Sequence, residues 1–105
     1  MKYLCVCHYG HSRSVAMCRE LHARKLEAIA VGSYTVSQTT LELLFDWADK
    51  IIIMDHGVTY VPEENLHKVV KDFIVGRDRW SNPYHPELAS ILRSKADTYF
   101  GATRQ

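Results

Sequence analysis

Four apolar residues in succession, Ile51-Ile52-Ile53-Met54, follow Lys50 and are closed by Asp55-His56-Gly57. A strand with one wet face would alternate apolar and polar residues. A run apolar at every position predicts a strand covered on both faces, the usual state of a parallel sheet. The rest of the chain fits that demand, because short apolar segments alternate with amphipathic ones. Lys2 to Val6 reads as a first strand, and Cys7 to Arg13 as a loop with Gly10 inside it. Ser14 opens a helix over Val15 to Leu26, whose Val15, Cys18, Leu21 and Leu26 share a side interrupted by His22. Ala28 to Val31 is a second strand, ended by Gly32-Ser33. Thr40 to Ala48 is a helix with Leu41, Leu44, Phe45 and Ala48 on one face. Lys50 to Met54, a short helix from Pro62 to Leu66, and a strand from Lys68 to Val75 follow. After a loop from Gly76 to Tyr84, Pro86 starts a last helix through Tyr99. The order β-α-β-α-β-α-β-α predicts an α/β three-layer sandwich: a four-stranded parallel sheet with helices on both faces. Ligands in such folds bind beyond the carboxyl ends of the strands, near a topological switch point. The loop after the first strand belongs to that edge.

The 105 residues suffice for one domain, 1–105. A net charge of +1 gives no electrostatic case for nucleic acid. No apolar run approaches the roughly 18 residues of a membrane span, and the first residues do not read as a secretory signal. Cys5, Cys7 and Cys18 are three cysteines crowded at one end. They predict neither a disulfide framework nor a zinc site, and they suit a reducing cytoplasm.

The chemistry concentrates in Cys7-His8-Tyr9-Gly10-His11-Ser12-Arg13-Ser14, a Cys-x5-Arg-Ser loop between a strand and a helix. A thiolate attacks phosphorus without a separate base. The N–H groups and dipole of a helix N-terminus stabilise that anion and bind phosphate oxygens as well. A guanidinium six residues on can fold back and hold two oxygens. Gly10 tolerates the positive φ that a ring of amides needs. The Ser14 hydroxyl can hydrogen-bond the departing thiolate. The loop residues His8, Tyr9, Gly10, His11, Ser12 and Arg13 are thus candidate phosphate-binding residues, with Cys7, Arg13 and Ser14 catalytic. The chain carries its own control. Cys18 and Arg24 share the spacing, but they have no glycine and no preceding strand, and this predicts a structural role for them.

A Cys-x5-Arg-Ser loop straight after the first strand resembles the low-molecular-weight protein tyrosine phosphatases, especially their small bacterial and phage-type relatives. The segment Asp46 to Asp55 resembles that family's entry into its third strand. Val69 to Leu88 is similar in layout to its aspartate loop before the last helix. The resemblance implies a phosphocysteine intermediate, no metal or other cofactor, and a phosphorylated protein or small phosphate ester as partner. The sequence departs from the family pattern in three ways. Tyr9 and Gly10 stand where the family usually has glycine and asparagine. Ser12 replaces the second cysteine of many members, which leaves Cys5 as the candidate for redox protection. The chain is also shorter than typical members, which implies a trimmed substrate rim.

The family places its general acid in a late loop, often before Pro-Tyr. Here Asp78 is the candidate, with Asp72 as runner-up, Asp55 near the same edge, and asparagine at Asn82-Pro83-Tyr84. Trp80 and Tyr84 either flank a phosphotyrosine ring or pack the last helix, and Trp47 reads as core. Three other functions share the loop or its ligand. An arsenate reductase would need cysteines after Cys18, and a phosphocysteine phosphotransfer module would lack Arg13. A non-enzymatic phospho-ligand binder would bind without turnover.

Overall fold

A computed structural model describes residues 1–9, 12–56, 61–77 and 79–101. Four strands, β1 (Lys2–Cys7), β2 (Glu27–Gly32), β3 (Lys50–Ile53) and β4 (Val69–Val70), form one parallel sheet in the order β2-β1-β3-β4. The helices are α1 (Arg13–Ala23), α2 (Gln38–Trp47) and α3 (Pro86–Phe100), with a 3-10 turn at Glu63–Lys68.

The two-sided apolar strands explain the layering. On β1, Tyr3, Cys5 and Cys7 face one core while Leu4 and Val6 face the other. On β3, Ile52 joins the first core, and Ile51 and Ile53 join the second. Met17 and Leu21 of α1, with Leu88, Leu92 and Ala96 of α3, close the first core. Leu41 and Phe45 of α2 close the second. Trp47 is half-buried on that second core, with the Lys2 ammonium 5.3 Å from its ring centre.

Two elements near the site differ from the sequence reading. The helix after the loop begins at Arg13, not Ser14, with Ser12 as its N-cap. Its buried face runs through Ala16, Met17, Cys18 and Leu21; Val15 is only half-buried, and Leu26 packs on the core from beyond the helix end. The fourth strand covers two residues rather than Lys68 to Val75. The chain turns after Lys71 because Phe73 is drawn fully into the first core, and Val75 then rejoins the sheet edge through its N–H to the Met54 carbonyl at 3.0 Å. Asp72 therefore lies exposed in a turn, not inside a strand.

The strand order fixes where a ligand can sit. From β1 the chain moves out to β2, then crosses back over β1 to β3. The carboxyl ends of β1 and β3 are thus the switch point, where neighbouring connections diverge and leave a crevice. Cys7 ends β1, and Asp55 lies two residues past β3.

Candidate active site

Cys7 is the last residue of the central strand and is 2% exposed. Its Sγ lies 3.1 Å from the Ser14 hydroxyl, itself fully buried in the first turn of α1. The thiol therefore sits at the N-terminal end of that helix, where the unpaired N–H groups stabilise an anion. Ser12 caps the helix without a side-chain bond, and its buried hydroxyl has no partner among the described residues.

Arg13 is 3% exposed and is held from the far side of the crevice. Its Nη1 donates to Asp55 Oδ2 and, at 2.6 Å, to the Gly76 carbonyl. Gly76 adopts φ +80°, a region that side chains rarely tolerate, so the backbone conformation here favours glycine. Arg13 Nε is buried and has no partner among the described residues. The guanidinium is thus anchored by one corner. Asp55 also meets a second side chain, with His8 Nε2 lying 3.5 Å from its Oδ1.

An open cleft of about 580 Å³ is lined by His8, Tyr9, Arg13, Tyr34, Asp55, His56, Gly76 and Arg77. Its mouth is aromatic. The His8 and Tyr34 rings are 4.7 Å apart, and Tyr9 meets Tyr34 edge-on at 6.1 Å. Both tyrosines are largely exposed, so neither is there to fill a core. The segment after β2 is fastened to the loop: Ser33 N–H donates to the Cys7 carbonyl (2.8 Å) and Tyr34 N–H to the His8 carbonyl (2.9 Å).

The sequence-derived candidates sort as follows. Cys7, Ser14, Arg13, His8, Tyr9 and Ser12 come together at this edge. Gly10, His11 and Asp78 lie outside the described residues. Asp72 faces another surface hollow, beside Ser94 and Tyr99 of α3. Trp80 is buried in the first core and donates its indole N–H to Glu87 at 2.8 Å. Tyr84 lies under the Arg19 guanidinium, 4.2 Å from its ring centre, and is not among the residues lining the cleft. The aromatic residues that do line the cleft are Tyr9 and Tyr34. Asn82 uses its side chain to accept the Tyr84 N–H at 2.9 Å, closing a turn.

The control pair is structural. Arg24 donates to Glu20 (2.9 Å), to the Gly101 carbonyl (3.1 Å) and to Asp97, tying α1 to α3. Those carboxylates hold its guanidinium in the charged form above the usual range, against burial, the largest single influence, which lowers it. Cys18 donates to the Ala28 carbonyl at 3.3 Å. Cys5 is fully buried, and that burial, aided by Cys18 and Cys7 nearby, pushes its thiol well up. A thiol held protonated in a core is a poor partner for an oxidised Cys7.

No protein-family model matches the chain, and no curated protein or solved structure is significantly similar to it. The site therefore rests on its own geometry. Among the described residues, no group of three or more metal-ligating side chains comes together, and no helix is long and apolar enough to cross a membrane.

Proposed function

We propose that this chain is a cysteine-dependent phosphatase of phosphate monoesters, acting on aryl esters such as phosphotyrosine. The observation that carries the reading is Cys7 Sγ 3.1 Å from Ser14 Oγ, at a helix N-terminus and a sheet switch point. Beside it, Arg13 Nε and Ser12 Oγ are buried polar atoms without protein partners among the described residues. Buried polar groups are rarely left so, and a tetrahedral oxyanion between them would satisfy both. In the proposed reaction the Cys7 thiolate attacks phosphorus in line as the bond to the leaving oxygen breaks. Asp78 protonates that oxygen. Its sequence neighbour Arg77 lines the cleft, which supports this assignment. Water then attacks phosphocysteine, Asp78 takes its proton, and phosphate leaves as the thiolate is restored. Tyr9 and Tyr34 favour a flat aryl group over an alkyl chain. Three cysteines crowded at one end of the chain suit a cytoplasmic setting.

The deciding experiment measures hydrolysis of para-nitrophenyl phosphate, phosphotyrosine and phosphoserine by the wild type and by Cys7→Ser. The variant should lose turnover and still bind inorganic phosphate. Turnover at the wild-type rate in Cys7→Ser would overturn the proposal.

A further inference from the structure

Asp55 is shared by the side chains of Arg13 and His8, and each offers another nitrogen without a partner among the described residues. Arg13 takes Oδ2 through Nη1, and its Nε is buried without a partner among the described residues. His8 lies at Oδ1 through Nε2, and its Nδ1 is likewise buried without a partner. Both residues line the cleft at the end of β1. Buried donors and acceptors are rarely left without a partner, so two such atoms on residues around one cleft point to a ligand that satisfies them. The His8 ring has little freedom to turn elsewhere. Tyr34 covers it at 4.7 Å, and the backbone beneath is fixed by the Tyr34 N–H to the His8 carbonyl.

We infer that His8 is a second side chain contacting the bound phosphoryl group, and that Asp55 is the positioning residue that aims both it and Arg13. This rests on the phosphate-site reading above. Asp55 bonds the corner of each group that the ligand does not use. The arrangement turns the loop residue after the nucleophile from a backbone contributor into a side-chain ligand. It also makes the two ligands interdependent, because both lean on one carboxylate at the end of the neighbouring strand.

The test is binding of inorganic phosphate, measured by calorimetry, to full-length wild type, His8→Gln, Asp55→Asn and the double variant. Thermal unfolding and the split of KM from kcat on para-nitrophenyl phosphate are measured alongside. His8→Gln should weaken phosphate binding and raise KM by about tenfold, the worth of one charge-assisted hydrogen bond, with the melting temperature unchanged. In the Asp55→Asn background the same change should cost less than threefold, since the ring has lost its aim. Wild-type affinity in His8→Gln would overturn the inference, as would an equal penalty in both backgrounds. If Asp55→Asn does not fold, the single His8 variant decides. Absence of phosphate binding by the wild type would sink the site reading itself. Binding in every form without Cys7-dependent turnover would sink only the hydrolase reading.

Discussion

Removing the Ser14 hydroxyl should separate the two chemical steps of the proposed reaction. The Cys7 sulfur and Ser14 oxygen are 3.1 Å apart, and both residues are buried, so water cannot replace the lost donor. A hydrogen bond to a charged partner contributes about 1.5–3 kcal/mol, which corresponds to roughly 10- to 100-fold in rate. The bond strengthens as sulfur regains negative charge on leaving phosphocysteine, so the second step should bear most of the loss. In stopped-flow with para-nitrophenyl phosphate, Ser14→Ala should release one equivalent of nitrophenolate quickly and then turn over about 10- to 100-fold more slowly than wild type. Acid quenching should trap the phosphoenzyme. Wild-type steady-state turnover with no burst would refute the assignment of this hydroxyl to the leaving thiolate.

Tyr34→Ala should lower kcat/KM for phosphotyrosine by roughly tenfold while leaving a small alkyl phosphate within about twofold, because ring stacking is worth about 0.5–1.5 kcal/mol beyond buried area. Equal losses on both substrates would argue against an aryl-selective rim. Arg24→Met strands the buried Glu20 and unties α1 from α3, so thermal unfolding should drop by about 10–20 °C, following a loss of about 2–3 kcal/mol. Two carboxyls are held below their usual range, Glu87 chiefly by the Trp80 indole N–H and then by Arg79, and Asp49 chiefly by the Lys2 backbone N–H. Depressed values mean the unfolded chain takes up protons first on acidification. Their contribution is therefore present above about pH 4.5 and lost as pH falls through the folded values. Melting curves at pH 3 and pH 6 should differ by less in Glu87→Gln than in wild type.

The layered sheet was legible because β1 and β3 are apolar on both faces and alternate in sequence with amphipathic segments, the pattern of a covered parallel sheet. The fourth strand was misjudged because Val69-Val70 and Phe73-Ile74-Val75 read as one strand broken only by Lys71-Asp72, and period alone does not reveal that Phe73 abandons the edge for the core. In the site, the gathering of Cys7, His8, Tyr9, Ser12, Arg13 and Ser14 was readable, because strand end and helix start lie within one short segment. Asp55, Tyr34 and Gly76 reach the cleft from other connections, and only the order β2-β1-β3-β4 brings them there. One signal was available for Asp55: an acidic residue just past the carboxyl end of the strand pairing with β1. The sequence alone leaves open whether such a residue serves as an acid or as a counter-ion. Trp80 and Tyr84 show the converse, since aromatic residues near a candidate loop carry no mark of whether they face ligand or core.

The fastening of residues 33 and 34 to the loop by main-chain donors bears on how such a protein could change its diet. Backbone N–H groups of residues 33 and 34, joined by the Thr35 hydroxyl on the Tyr9 carbonyl, keep the rim in register with Cys7. The tyrosine ring at position 34 is therefore an exchangeable attachment on a fixed bracket. In the proposed phosphatase, substitution there would retune which esters are accepted while the thiol and its serine stay where they are. Lengthening or shortening that connection would instead shift the bracket, and with it the cysteine. Evolution of preference in this scaffold should proceed by swapping residues in the rim and should avoid changing its length.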